Sequence, residues 1–480
     1  MFLGGMGSGE LLLEEVRRFH YPPRRLGGHL RWDFGRIVGE IHEGLQSAAA
    51  TARELRRRVH SIGVDSWGVD YGLTDADGVL VEDPICYRDE RTAGAMDAAF
   101  RRVPRAEIFL RTGIQFLSIN TLFQLVAHAA EGLPDRATHL GLIPDLINAM
   151  LTGRSVTEYT NATTTQMVSA ETGDWDDELV GQLGLPRHLL CPIVPTGTVV
   201  GPLLPHIASA TGLEGVVVIA PATHDTGSAV AGTPLQDEWA YSSSGTWSLV
   251  GVEREGVLVD DTVARHNLTN EGGAFDTVRL LKNSMGLWIL ESCRQEWRAS
   301  GVDVDYALLL ERAAATRAFC GLIFPDDPRF LNPPSMLAAV NAQMRETGQS
   351  VVSEPAAVTR VVLDSLALRY GSILRMIASI TGRAVRGVQI VGGGSRNAYL
   401  NQATATVTGL PVVAGPVEAT VIGNVLIQAM AAGRFASLAA ARRHVAANIE
   451  STSFEPRPSE VWERARGVYS EIEGRFLEAL

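Results

Sequence analysis

Residues Val216 to Ala220 form an unbroken apolar run, mostly of β-branched side chains, that ends abruptly in small and polar residues. Such a run is typical of a strand buried on both faces, as in the parallel sheets of α/β proteins. Short strand patterns also occur at Val59 to Val64 and at Val388 to Val391. Apolar residues recur at spacings of three and four from Leu363 to Ile380, which predicts an amphipathic helix that stops at Gly382. This alternation predicts an α/β fold.

The length of the chain predicts more than one domain. A chain of 480 residues is too long for one ordinary hydrophobic core, so we expect two domains. The best boundary lies near Thr233-Pro234-Leu235-Gln236-Asp237, after a helix and before a strand. It divides the chain into residues 1–233 and 234–480.

Charge and cysteine content narrow the range of partners. There are 42 Lys and Arg against 54 Asp and Glu, and the net charge of −12 has the wrong sign for a nonspecific binder of nucleic acid or anionic membrane. No apolar run approaches the roughly 18 residues that would span a membrane. The four cysteines are far apart, which is typical of reduced thiols. We therefore expect a cytoplasmic protein that binds small molecules and neither nucleic acid nor membranes.

Several common catalytic motifs are absent from the sequence. It contains no P-loop, no H-E-x-x-H zinc motif and no G-x-S-x-G nucleophile elbow. The eleven histidines do not cluster at metal-ligand spacing. These absences argue against P-loop nucleotide hydrolysis, zinc peptidase chemistry and serine hydrolase chemistry.

Small and polar residues follow directly after the strand at Val216 to Ala220. The segment Pro221-Ala222-Thr223-His224-Asp225-Thr226 places a carboxylate at the end of a buried strand, where α/β enzymes keep catalytic groups. Asp225 could accept a proton from a hydroxyl group. Alternatively, it could be the N-cap of a helix that begins at Thr226.

Two further segments have a composition suited to holding phosphate. Tyr241-Ser242-Ser243-Ser244-Gly245-Thr246-Trp247 is rich in hydroxyl groups and could bind phosphate oxygens or form an ordinary hairpin turn. Gly392-Gly393-Gly394 follows a strand and precedes a helix. Three glycines allow a ligand to approach the backbone closely, and a helix N-terminus favours an anion; the alternative is a flexible left-handed turn.

The segment Asp65-Ser66-Trp67-Gly68-Val69-Asp70-Tyr71-Gly72-Leu73 resembles the sugar-site segment of rhamnulokinases, within the FGGY carbohydrate kinase family. Further segments resemble this family in the same order along nearly the whole chain: Tyr87-Arg88-Asp89-Glu90-Arg91-Thr92, Asn120-Thr121-Leu122-Phe123-Gln124-Leu125, Pro144-Asp145-Leu146, Thr157-Glu158-Tyr159-Thr160-Asn161-Ala162, Thr223-His224-Asp225-Thr226, Ser243-Ser244-Gly245-Thr246-Trp247-Ser248-Leu249, Asn270-Glu271-Gly272-Gly273, Lys282-Asn283-Ser284-Met285-Gly286, Gly392-Gly393-Gly394 and Ala414-Gly415-Pro416-Val417-Glu418-Ala419-Thr420.

The resemblance implies an α/β fold of two actin-like ATPase (ribonuclease H-like) domains with a hinge and a cleft between them. Residues 1–233 would be the sugar-binding domain and residues 234–480 the nucleotide-binding domain. It implies ATP-dependent phosphorylation of L-rhamnulose at its 1-hydroxyl in rhamnose catabolism, with ATP and Mg²⁺ as cofactors. Two alternatives remain: a kinase for another ketose, such as fuculose or xylulose, and a catalytically inactive sugar-binding or regulatory protein.

The resemblance also implies roles for individual residues. Asp225 matches the base that deprotonates the sugar hydroxyl. The positions that match sugar contacts are Gly68, His224, Thr226 and Asn283. The positions that match ATP contacts are Thr246, Gly392, Gly393 and Gly394. Glu291 departs from the pattern, because a neutral side chain facing ATP is expected at that position.

The beginning of the chain departs from the family pattern as well. Members of the family open with a strand and an Asp-x-Gly-x-x-Ser-x-Arg-like loop that cradles the ATP phosphates and helps to hold Mg²⁺. Residue 1 falls where the next strand should begin, and Leu3-Gly4-Gly5 resembles the interior of that strand. We therefore expect the first strand and its phosphate loop to be missing from this sequence.

Overall fold

The structure is a computed structural model that describes residues 1–6 and 9–477. The chain folds into two compact units, each of which is built from three segments. Unit 1 contains Met1–Pro234, Glu253–Leu280 and Ala419–Asn448, and unit 2 contains Leu235–Val252, Leu281–Glu418 and Ile449–Leu480.

Strands and helices alternate along the chain, as the sequence predicts. The strands are β1 Phe2–Met6, β2 Leu11–Glu15, β3 Arg24–Leu26, β4 His29–Arg31, β5 Ser61–Ile62, β6 Tyr71–Thr74, β7 His139–Leu142, β8 Thr157–Glu158, β9 Ile193–Val194, β10 Val199–Pro202, β11 Val217–Ile219, β12 Trp239–Ser244, β13 Trp247–Glu255, β14 Thr269–Gly272, β15 Thr277–Met285, β16 Gly387–Val391, β17 Val412–Ala414 and β18 Thr452–Phe454.

The helices vary widely in length. They are α1 Phe34–Glu54, α2 Ala95–Phe100, α3 Arg105–Thr112, α4 Thr121–Glu131, α5 Ile143–Thr152, α6 Tyr159–Thr164, α7 Asp177–Gln182, α8 Pro205–Thr211, α9 Asp225–Ala231, α10 Asp261–Arg265, α11 Trp288–Ala299, α12 Tyr306–Ala315, α13 Met336–Glu346, α14 Pro355–Thr381, α15 Ala398–Thr408, α16 Ala419–Ala431, α17 Leu438–Asn448 and α18 Glu460–Leu477. Short 3₁₀ helices occur at Glu90–Thr92, Arg187–Leu189, Pro328–Phe330 and Gly393–Arg396.

In unit 1, the predicted buried strand is β11. It pairs in parallel with β5 and antiparallel with β10, so it is the middle strand of a three-stranded sheet. Val218 in this strand is completely buried, and Val216 and Ala220 belong to the same apolar core. This core fixes the end of β11, from which the chain runs into α9.

Two later segments of the chain pack into unit 1. A Cβ atom at Gly423 of α16 would overlap the carbonyl oxygen of Ser228 in α9, so only glycine allows these helices to approach so closely. Arg442 of α17 pairs with Glu253 at 2.6 Å and also donates to the Val230 carbonyl at 2.8 Å. These contacts explain why unit 1 extends beyond Pro234. The division of function between residues 1–233 and 234–480 stays a prediction.

In unit 2, the sheet has the strand order β15-β13-β12-β16-β17-β18. Strand β12 is antiparallel to β13 and parallel to β16, and β16 is parallel to β17. The long helix α14 contains the helix predicted from Leu363 to Ile380, and Gly382 ends it in a left-handed conformation with φ of 64°. The α/β prediction is confirmed in both units.

Candidate functional site

Asp225 is the first residue of α9 in unit 1, and His224 is its N-cap residue. The Asp225 amide donates to the Ser66 carbonyl at 2.9 Å, which ties the start of α9 to the segment after β5. The Thr226 hydroxyl donates to Asp225 Oδ1 at 3.2 Å. Because the helix begins at Asp225 itself, this residue does not have the N-cap position that the structural alternative required.

The environment of Asp225 suits a proton acceptor. Its side chain is 43 % exposed, so a ligand can reach it. Even so, the surrounding protein removes much of the water around the carboxylate, and this desolvation raises the pKa of Asp225 to about 6. Hydrogen bonds from Thr226 lower the pKa and partly offset that rise. Burial also raises the pKa of Asp65 to about 7, and the charge of Asp225 adds a smaller increase. At neutral pH the carboxylate of Asp225 is therefore mostly ionised and still moderately basic.

His224 and Thr226 flank Asp225 and are both largely buried. His224 Nε2 lies 3.6 Å from Asp225 Oδ1. The backbone amide of His224 donates a hydrogen bond to the Thr160 hydroxyl oxygen at 3.3 Å. Burial, followed by the charge of Arg279, holds the pKa of His224 well below its usual range, so its ring is neutral.

The Gly68 loop is held in a strained conformation next to this segment. Val69 has φ of 67°, which is rare for a β-branched residue. The hydroxyl of Thr121 and the side-chain amide of Gln124 both donate to the Val69 carbonyl, at 2.7 and 3.1 Å. A Cβ atom on Gly68 would lie 3.2 Å from Asn161 Oδ1, so any larger residue at position 68 would crowd the Asn161 side chain.

A buried carboxylate anchors two tryptophans of the same region. Asp70 accepts from the indole nitrogens of Trp32 and Trp67 at 2.7 and 2.9 Å. The Trp67 ring stacks on Tyr21 with ring centroids 5.8 Å apart. Burial, and then the charges of Asp225 and Asp65, raises the pKa of Tyr21. Trp67 directly follows Ser66, whose carbonyl accepts from the Asp225 amide. An aromatic surface therefore lies near Asp225.

In unit 2, the two small-residue segments lie side by side. A Cβ atom at Gly394 would overlap the Ser244 hydroxyl, and one at Gly392 would lie 3.0 Å from the Ser244 carbonyl oxygen. The middle residue, Gly393, faces open space. Thr246 is exposed, and its carbonyl accepts from the Gly286 amide at 3.1 Å. The pair of loops offers open backbone and an exposed hydroxyl, which suits phosphate oxygens.

Sequence profiles of known families match most of the chain. The N-terminal domain of the FGGY family of carbohydrate kinases matches residues 18–232, and its C-terminal domain matches residues 240–432. The chain belongs to the FGGY family of carbohydrate kinases.

Named relatives of this FGGY kinase cover almost its whole length. It is 41 % identical to a rhamnulokinase from Bacteroides thetaiotaomicron over 466 residues, which are 96 % of this chain and 94 % of the relative. It is 44 % identical to a rhamnulokinase from Pectobacterium carotovorum over 450 residues, which are 93 % of this chain and 88 % of the relative. Among solved structures, gluconate kinase from Lactobacillus acidophilus has a TM-score of 0.80 at 16 % identity, over 98 % of this chain and 94 % of that one. The two-domain FGGY kinase fold is thereby established.

The predicted site residues of this FGGY kinase divide between the two units. Gly68, His224, Asp225 and Thr226 come together in unit 1, as described above. In unit 2, the predicted ATP-contacting residues come together on the two adjacent loops, and Asn283 lies half-buried in β15. The roles of all these residues stay predictions.

Glu291 has a different environment from the one expected of an ATP-facing residue. Its carboxylate pairs with Arg294 at 2.5 Å and with Arg298 at 3.2 Å on the same helix, α11. A carboxylate is unfavourable near phosphates because of its negative charge. In Glu291 this charge is compensated by Arg294 and Arg298.

Two buried charged residues beside His224 are missing from the sequence-based site. Arg279 in β15 is completely buried and Glu271 in β14 is nearly so, and their side chains are 3.3 Å apart. Glu271 is part of a segment that resembles the family, but neither composition nor spacing indicated that it pairs with Arg279. The pairing depends on how β14 and β15 meet α9, which local patterns do not encode.

Proposed function

We propose that this protein is a rhamnulokinase, which transfers the γ-phosphoryl group of ATP to the 1-hydroxyl of L-rhamnulose and forms L-rhamnulose 1-phosphate in rhamnose catabolism. The observation that carries the proposal is the similarity to rhamnulokinases, at 41–44 % identity over more than nine-tenths of the chain. The ionised, partly exposed carboxylate of Asp225 supports it, because the reaction requires a base at the sugar hydroxyl.

Asp225 would accept the proton of the 1-hydroxyl as its oxygen attacks the γ-phosphorus. The bond from oxygen to phosphorus forms, the bond from the γ-phosphorus to the β–γ bridging oxygen breaks, and ADP leaves. Gly68, His224 and Thr226 would bind the sugar next to this base, together with Asn283. In phosphoryl transfer the protein contributes mainly positioning and stabilisation of charge, and these residues would position the acceptor.

Thr246 and the Gly392–Gly394 turn would bind ATP. Gly392 and Gly394 contact Ser244 too closely for any side chain, and Gly393 faces open space. A nucleotide could therefore approach the backbone of this turn closely. In the part of the chain that the structure describes, no group of three or more His, Cys, Asp or Glu side chains is arranged to hold a metal ion. Mg²⁺ would bind through the phosphates of ATP. When bound, Mg²⁺ neutralises charge on the phosphates.

The proposed partners are a small sugar and ATP, and the proposed location is the cytoplasm. The four cysteines are free thiols, which fits a reducing compartment. Across residues 1–6 and 9–477, we find no helix with the length and apolar character required to cross a bilayer.

The choice of sugar is tested by comparing ketoses. With ATP saturating, we expect kcat/KM to be highest for L-rhamnulose. L-Fuculose keeps the terminal methyl group but differs in hydroxyl stereochemistry, and xylulose lacks the methyl group that the aromatic surface of Tyr21 and Trp67 would contact. A higher kcat/KM for either of these sugars would overturn the assignment of substrate. Calorimetric binding of L-rhamnulose without any turnover would favour an inactive sugar-binding protein instead.

The raised pKa of Asp225 predicts how the rate depends on pH. A general base must be deprotonated, so kcat/KM for the sugar should be constant above pH about 6 and fall about tenfold per pH unit below it. The variant Asp65→Asn should keep this acidic limb, because Asp65 is not the proposed base. Initial rates between about pH 5 and 8 provide the check. A flat profile in the wild-type protein would exclude Asp225 as the titrating base.

A further inference from the structure

His224 and three charged side chains form a compact cluster in unit 1. The His224 side chain is 10 % exposed, Glu271 is 5 % exposed and Arg279 is fully buried, whereas Asp225 opens toward solvent. Removal of Arg279 from water is costly unless its charge is compensated, and Glu271 supplies that compensation at 3.3 Å. The guanidinium is fixed further because its Nε donates to the Gly272 carbonyl at 2.9 Å.

The two nitrogens of the His224 ring face different partners. Nδ1 lies 3.1 Å from Arg279 Nη2, and Nε2 lies 3.6 Å from Asp225 Oδ1. An arginine side chain donates hydrogen bonds and does not accept them. For this contact to be a hydrogen bond, Nδ1 must be the acceptor and the proton of the neutral ring must be on Nε2.

The rival arrangement places the proton on Nδ1 and directs it at Glu271. Glu271 Oε2 lies 3.5 Å from Nδ1, which is long for a hydrogen bond and longer than the contact with Arg279. The distances therefore favour donation by Arg279. In the rival tautomer, Nε2 would be an acceptor directed at the carboxylate of Asp225, which is repulsive.

We propose that Arg279 is a positioning residue that fixes His224 as the neutral Nε2–H tautomer, so that the ring donates a hydrogen bond on the Asp225 side to an oxygen of the bound sugar. The proposal rests on the proposed function, because it assigns the His224 ring to the sugar oxygens. A histidine held in this state is a donor at every working pH and does not compete with Asp225 for the proton of the sugar hydroxyl. Glu271 acts one step further away, by holding the guanidinium in place.

Nitrogen NMR of the wild-type protein labelled with ¹⁵N-histidine tests the tautomer without any assay of activity. The signal of His224 is identified by its loss in His224→Gln. We expect an unprotonated Nδ1 and a protonated Nε2 at every pH from about 6 to 8. A protonated Nδ1 with a bare Nε2, or a doubly protonated ring at pH 6, would overturn the proposal.

Two variants separate the roles of Arg279 and Glu271. In Glu271→Gln, Arg279 still donates to Nδ1, so the Nε2–H tautomer should persist; a change of tautomer would show that Glu271 and not Arg279 sets it. In Arg279→Met, we expect a mixture of tautomers and a loss of about 10- to 100-fold in kcat/KM, mostly through the sugar KM. Arg279→Lys keeps the positive charge and one donating nitrogen, so it should restore part of the Nε2–H tautomer and part of kcat/KM. If Arg279→Lys restored none of the Nε2–H tautomer, donation from residue 279 to Nδ1 would be contradicted.

These measurements distinguish the failure of this proposal from the failure of the proposed function. If L-rhamnulose is not the substrate, the kinetic comparison loses its meaning but the NMR signals of His224 still report the tautomer. If Arg279→Met does not fold, the wild-type and Glu271→Gln spectra still decide which residue faces Nδ1.

Discussion

Asp225→Asn should lower kcat by about 10²- to 10⁴-fold while sugar binding stays close to that of the wild type. Asparagine has nearly the same size and still accepts the hydrogen bond from Thr226, but it cannot take the proton from the sugar hydroxyl. Turnover measured with saturating L-rhamnulose and ATP, and sugar affinity measured by calorimetry, separate the two effects.

Asp305 provides a matched control, because it is an aspartate that does cap a helix. Its side chain accepts from the Leu308 amide at the start of α12 in unit 2. Asp305→Ala should lower stability by about 1 kcal/mol and leave kcat unchanged. If Asp225→Asn behaved in the same way, with a lower melting temperature and nearly normal turnover, Asp225 would have only a structural role.

Gly423→Ala should lower the stability of unit 1 markedly. The new methyl group would overlap the Ser228 carbonyl oxygen, and a Cβ atom on Gly232, the C-cap residue of α9, would overlap the backbone nitrogen of Gly423. Neither helix can give way by a side-chain movement, so overpacking should cost at least about 1–3 kcal/mol. Because α9 begins at Asp225, turnover should fall as well. Thermal unfolding and initial rates of the same preparation provide the measurement.

The control for this substitution is another helical glycine with no neighbours. Gly467 in α18 is exposed, and nothing lies within 4 Å of a Cβ atom placed on it. Gly467→Ala should leave the melting temperature unchanged or raise it slightly, because alanine favours the helix by up to about 1 kcal/mol. If both variants melted like the wild type, the contact between α9 and α16 would be looser than the structure indicates.

Elements with a clear local pattern are the ones that the sequence predicts well. The apolar run at Val216 to Ala220 contains β11, and the periodic segment from Leu363 to Ile380 lies inside α14. In both cases the burial that shapes the element is visible in consecutive residues. The run from Val59 to Val64 predicts a longer strand than β5, which has only two residues.

Contacts between distant segments are not predictable in this way. Arg279 and His224 are 55 residues apart, and their contact depends on the position of β15 beside α9. The close contact of Gly423 in α16 with Ser228 in α9 is a second example. It packs the segment Ala419–Asn448 into unit 1, although this segment follows most of unit 2 in the sequence. Local periodicity carries no information on either contact, because both arise from tertiary packing.

The central claim is transfer of a phosphoryl group from ATP to the 1-hydroxyl of L-rhamnulose with Asp225 as the base. Phosphorus NMR of a reaction that contains the protein, L-rhamnulose, ATP and Mg²⁺ tests it most directly. We expect one ADP for each new phosphate ester, with the ester phosphorus coupled to the protons on C1. With Asp225→Asn, we expect at most about one-hundredth as much ester over the same period. ATP that remains intact, ADP accompanied only by inorganic phosphate, or an ester at another carbon would contradict the account.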